Sequence, residues 1–169
     1  MRLICLAILL FIIPTFTHAQ DTALVKKQAQ RFATASFNGD FKTVIDLTYP
    51  KLVGLSGGRE EMEKLINERI ESLKKQGIMK FDGSVDAPSK FYKAGTHIHC
   101  LVPETVILRM FNGRYVSRTY LLAISTDQGK SWTFMDVGKM PSDVLYKLLP
   151  DYNDDLVIPS SGKPMFFTD

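Results

Sequence analysis

Over residues 21–37, apolar or small side chains fall at 25, 29, 32, 33 and 36, the spacing of one helix face. Asn38-Gly39 ends that helix, because glycine accepts the left-handed cap conformation. Asp40 caps a short second helix that carries Phe41, Val44, Ile45 and Leu47. Tyr49-Pro50 stops it, since a residue before proline disfavours helical backbone. The stretch KLVGL at 51–55 reads as a short strand, and Gly57-Gly58 as a break. Glu60 and Glu61 open a third helix, where carboxylates suit the positive end of the dipole. Its stripe is Met62, Leu65, Ile66, Ile70 and Leu73, interrupted by Arg69, and Gly77 terminates it.

From Ile78 the period changes from helical to alternating, and four strands are predicted at about 78–94, 96–111, 114–126 and 130–137. Asn112-Gly113 marks a two-residue hairpin between the middle two. Pro103 predicts a bend or bulge, since proline cannot donate to a ladder. Ser142 caps a last short helix, VLYKLL, and the Asp-, Pro-, Ser- and Gly-rich stretch from Asp151 reads as a strap or an unstructured end. The layout is α+β, with three N-terminal helices and a curved antiparallel sheet of four to five strands, followed by a short C-terminal helix and tail.

Two stretches sharpen that picture. QRFATASFNGDFKTVIDLTYPKLVGLSGGREEMEKLI and the closing GKSWTFMDVG resemble the start and the last strand of the nuclear-transport-factor-2-like, SnoaL-like superfamily. The resemblance covers roughly residues 21–138 and implies a cone: a curved sheet wrapped on helices, with a pocket between them. It also implies a range of roles, since members of one fold carry unrelated functions. Some members are enzymes that use an Asp in the cone, many bind ligands without chemistry, and many dimerise through the outer sheet face.

The first nineteen residues stand apart from the fold. Arg2, the apolar run LICLAILLFII and the small or short residues of Thr17-His18-Ala19 make a secretory signal peptide, with cleavage expected after Ala19. The protein is therefore expected in the periplasm or outside the cell, with no integral membrane segment after cleavage. Of 169 residues, 150 remain, and the net charge moves from +3 to +2 because the signal carries one cation. Residues 20–140 are expected to form the cone domain, with 141–169 as helix and tail packed on it. Nothing in that charge calls for nucleic acid. Cys5 leaves with the signal, so Cys100 has no internal partner and reads as a small buried hydrophobe.

Candidate chemistry is sparse. Pairing from the hairpin tips places Glu104 opposite Leu121, and Leu121 opposite Asp136, on one apolar face with Ile98, Cys100, Val102, Tyr115, Trp132 and Phe134. Two carboxylates among apolar side chains are candidates for a general base or acid. The same two, with Tyr49, Tyr115, Trp132 and Phe134, are the expected ligand-binding set. His97 and His99 share the opposite face with Arg109, Arg114 and Arg118 and are weak metal candidates, since a zinc site needs three or four ligands. The mixed apolar and cationic face suits either a homodimer or the C-terminal tail. No motif calls for a cofactor: there is no phosphate-binding glycine loop, no G-x-S-x-G elbow and no histidine near a nucleophile.

STDQGKSW at 125–132 resembles the Asp-box hairpin of sialidase propellers. Such a propeller needs several blades of four strands, and one copy in this length reads instead as a turn. Three functions are expected, in order. The first is a non-catalytic binding module with a cone pocket for a small apolar or amphipathic ligand. The second is an interaction or dimerisation module with a filled cone. The third is an isomerase-, cyclase- or dehydratase-type enzyme using Asp136 or Glu104.

Overall fold

The computed structural model describes residues 18–168, with side chains from Thr22 onward; the expected signal peptide lies almost wholly outside the described residues. Helix α1 (His18–Asn38) buries Val25, Ala29, Phe32 and Ala33 on one face, as their spacing requires. It ends where Gly39 adopts φ 73° and the Asp40 N–H bonds to the Ala35 carbonyl. The Asp40 carboxylate accepts from the Thr43 N–H at 3.1 Å and so caps α2 (Phe41–Leu47).

The stretch expected as a strand at 51–55 is instead helix α3 (Pro50–Leu55). Pro50 occupies its first position, where a missing N–H costs nothing and the fixed φ is already helical. The carbonyl of extended Tyr49 accepts from the N–H groups of Leu52 and Val53, so proline ends one helix and starts the next. Helix α4 (Arg59–Lys75) follows and rests on α2 and α3. Only Met62 of its stripe is fully buried. There are thus four N-terminal helices rather than three.

The sheet is antiparallel and curled, with helices α1 and α2 on its concave side. Its path runs β1 (Lys80–Val85), β3 (His97–Met110), β4 (Gly113–Ser125), β5 (Thr133–Asp136). A short β2 (Tyr92–Ala94) also pairs β3, and β6 (Met165–Thr168) pairs β4 beyond the end of β5. The strand expected at 78–94 is therefore two, separated by the loop 86–91. The tail supplies a sixth strand where a strap or loose end was expected.

No bulge interrupts the β3–β4 ladder, and Pro103 sits opposite Tyr120 within it. Its carbonyl accepts from the Asp86 N–H just past the end of β1. Proline's missing donor therefore falls in the gap between β1 and β2, where no strand asks for it. The hairpin tip is Phe111-Asn112, one residue earlier than expected, and pairs Met110 with Gly113. Gly113 has φ 153° and a carbonyl of β6 packed against its Cα, so it is spent on admitting β6 rather than on the turn. This shifts the register by two residues and places Glu104 opposite Thr119, not Leu121. An even shift keeps every side chain on its expected face. The pairing of Leu121 with Asp136 stands as expected.

Two cores lie on the two faces of the sheet. The concave one joins Val25, Ala29, Phe32 and Ala33 of α1 to Cys100, Val102, Leu121, Ala123, Trp132 and Phe134. The convex one joins Leu101, Leu122, Ile124 and Met135 to helix α5 (Ser142–Leu148) and to Leu149 and Leu156 of the tail. Pro141, not Ser142, is the N-cap of α5. Of the two expected uses of the convex face, the tail takes its proximal half. The distal half, with Ile107, Val116, Met165 and Phe167, stays partly open. Burial holds the Cys100 thiol up at about 12, which keeps it protonated and inert.

The STDQGKSW stretch forms the turn between β4 and β5. Asp127 accepts from the Ser125 hydroxyl (2.8 Å), the Ser131 N–H (2.9 Å) and the Ser131 hydroxyl (2.6 Å). The Ser131 bonds, with lesser help from Ser125, hold the Asp127 carboxyl down at about 2. Gln128 and Gly129 supply the two positive φ values, and the Trp132 indole N–H closes the loop on the Gly129 carbonyl. Asp127→Ala is expected to lower stability by about 1–2 kcal/mol, the cost of losing bonds to a charged acceptor. Chemical-denaturation midpoints check this, with Asp127→Asn recovering part of the loss.

Candidate functional site

The residues singled out in the sequence separate into three places. Trp132 and Phe134 are inside the concave core, where Trp132 packs on Phe91 and Phe134 on Phe32 with ring centroids 5.6 Å apart in each pair. They fill the cone rather than line an opening. Glu104, Tyr115 and Asp136 lie on the same concave face but nearer its distal end. Tyr49, His97 and His99 lie behind the sheet, on the convex side.

Glu104 is 6% exposed, and among the described residues no side chain donates to it. Burial, and secondarily the negative charge of Asp136, lift its carboxyl to about 7. Asp136 is exposed, and one carboxylate oxygen, Oδ1, accepts from both the Thr119 hydroxyl (2.9 Å) and the Gly138 N–H (2.8 Å). A side chain at Gly138 would overlap the hydroxyls of Thr119 and Ser161, so the crossing of tail and strand requires glycine there. The two carboxylates thus share a face, as their alternation implies. A carboxyl that titrates near neutrality can exchange a proton, but among the described residues no cation stands beside it to orient a reacting group.

A wide depression of about 410 Å³ lies at the junction of α1 and α2, lined mainly by Gln30, Arg31, Thr34, Asn38, Asp40 and Thr43, and two further cavities lie on the convex side. The chain leaves α2 on the concave side and crosses the edge of β5, where Thr48 bridges Phe134 and the Tyr49 N–H bonds to the Phe134 carbonyl. It emerges behind the sheet, which buries Tyr49 in the convex core. There a cavity of about 310 Å³ opens between Tyr49-Pro50-Lys51 and the strand ends, lined by Ile124, Thr126, Ser131, Thr133 and His97. A second, smaller cavity of about 30 Å³ lies against it, lined by Lys51, Ala94, His97, His99 and Leu149-Pro150-Asp151 of the tail. Lys51 and His97 belong to both.

His99 is the anomaly of this region. It is 1% exposed, and among the described residues neither Nδ1 nor Nε2 has a hydrogen-bond partner. Burial, with a lesser contribution from His97, lowers its pKa to about 4, so the ring is neutral at ordinary pH and holds one N–H donor and one acceptor. The His97 and Tyr152 rings stand 6.1 Å and 6.0 Å away, centroid to centroid. Orphaned buried groups cost free energy, and native proteins keep few of them without a use. No group of three or more His, Cys, Asp or Glu among the described residues is placed to hold a metal ion.

Lys51, Thr126, Ser131 and Asp151 line these cavities and are not candidate site residues from the sequence alone. Lys51 carried a signal, since it follows Tyr49-Pro50 directly, but its meaning depended on the chain crossing to the convex side. Asp151 carried none until the tail docked. No protein-family profile, curated protein or solved structure matches this chain. The site stands on its geometry alone.

Proposed function

We propose that this chain is an exported, non-catalytic binding module of the nuclear-transport-factor-2-like, cone-shaped kind, with its small amphipathic ligand seated behind the sheet rather than inside the cone. The helices packed on a curled antiparallel sheet support the family reading. The observation that carries the function is His99, buried without a partner for either ring nitrogen beside a cavity that opens to solvent. The aromatic fill of the cone argues against the pocket expected there. The cleft is at the lower end of the size range of small-molecule sites and combines apolar walls with a few convergent polar groups. A thermal-shift screen of small amphipathic compounds tests the reading. Stabilisation that is lost in a His99→Leu variant is expected, and no shift with any compound class would remove it. N-terminal sequencing of the exported protein checks cleavage after Ala19.

A second reading is favoured by the distal end of the sheet. Phe111 is 94% exposed at the hairpin tip, and Met79, Met165, Phe166 and Phe167 gather near it. Apolar patches of this kind mark contact surfaces. If this end is used, light scattering reports a dimer that Phe111→Ser dissociates, whereas a monomer at all concentrations removes self-association.

A further inference from the structure

Resting on the reading that the convex cleft binds a small ligand, we infer that the ligand's polar end is a carboxylate, held at the inner end by Lys51, His97 and His99, with an apolar body lying outward against Tyr49, Pro50 and Ile124. Three observations lead there. The first is size: the inner chamber, about 30 Å³, suits one compact polar group, and the outer one, about 310 Å³, takes a body of modest length.

The second is the tally of donors and acceptors. Lys51 spends one weak bond on the Leu148 carbonyl at 3.4 Å and keeps two N–H groups. Each imidazole offers one donor when neutral. Asp151 is the lone carboxylate among the lining residues, and it is exposed to water beside Gly95. Donors outnumber ionised acceptors, which favours an anionic oxygen pair over an amine or an alcohol.

The third is the fate of His99. A carboxylate oxygen in the inner cavity accepts the His99 N–H that is otherwise orphaned beside it. The walls of the outer chamber support the other end of the molecule. Tyr49, Pro50 and Ile124 are apolar, whereas Thr126, Ser131 and Thr133 form a hydroxylated rim. A monocarboxylate with a short alkyl or aryl body matches this polarity from inside to outside, and a second charge at the far end would face apolar carbon.

Isothermal titration of the purified chain with octanoate and 3-phenylpropanoate, each against its primary amide, tests this. Carboxylates are expected to bind at least about tenfold more tightly than their amides, the worth of one charge-assisted bond. That preference is expected to vanish in Lys51→Met, whose melting temperature checks that the fold persists. His97→Gln is the second variant and is expected to reduce the preference in part. Amides binding as well as carboxylates would overturn the carboxylate assignment while leaving the cleft as a binding site. A preference undiminished in both variants would place the anion elsewhere and overturn it too. If none of the four probes binds, the assignment falls, and the thermal-shift screen decides separately whether the cleft binds anything.

Discussion

Glu104→Gln is expected to stabilise the fold by about 2–3 kcal/mol above pH 8 and to change it little near pH 4, from a shift worth about 1.4 kcal/mol per unit. The sign follows from burial. The folded pKa, about 7, is above the unfolded value of 4.5, so the neutral acid is the form the fold prefers. Stability is complete below the unfolded pKa and is lost as pH rises through the folded one. Among the described residues no cation near Glu104 offsets the cost of ionising it, and Asp136 adds to it. The glutamine amide has the shape of the neutral acid and no proton to lose, so its stability advantage over the parent should grow as pH rises from about 4.5 to 7. Urea midpoints measured across that range decide it. A variant no more stable than the parent at pH 8 would mean that Glu104 is solvated, not buried.

The second large effect has the opposite direction. Acidification from about pH 6.5 to 4 is expected to cost the parent chain about 3 kcal/mol through His99 alone. Its folded pKa is depressed, so its contribution is complete above the unfolded value and is lost as pH falls towards the folded one. His97, Lys51 and Asp151 face it across the inner cavity, and Tyr152 packs over it. The Lys51 ammonium would not welcome an imidazolium. Because Glu104 acts in the opposite sense over much of this range, the effect is read as the difference in unfolding free energy between His99→Leu and the parent, which is expected to move by about 3 kcal/mol in the variant's favour between pH 6.5 and 4. A slope the same as that of the parent would assign the acid loss to other groups. The two residues together confine maximum stability to mildly acidic solution, between the unfolded pKa of one and that of the other.

Much of the fold was legible because it is local. The 25, 29, 32, 33 spacing of α1, the Asp40 cap and the Asn112-Gly113 signal each act over a few residues, and each marks a real element. Strand alternation also placed Glu104 and Asp136 on one face through a two-residue register error, because such an error preserves the face. What failed was settled at long range. KLVGL has the apolar content of a strand, and only the proline at its first helical position distinguishes it. MFFT has strand composition, but the slot it fills exists only because β5 ends early along β4. The candidate site depended on two such events. Tyr49 and the two histidines meet because the chain crosses the sheet edge at Thr48 and because the tail folds back over β3. Neither event leaves a periodic trace in the residues that take part.

The tail's return has a consequence for synthesis. Leu149, Pro150 and Asp151 wall the inner cavity but follow His99 by about fifty positions, and β6 follows later still. A chain emerging amino end first exposes the convex face of β3 and the distal edge of β4 before the residues that cover them arrive. During that interval His99 is wet and free to ionise, and the inner cavity lacks its tail wall. The inner cavity is therefore completed last, and a chain arrested at residue 140 would hold every residue that lines the outer cavity yet leave the inner one open.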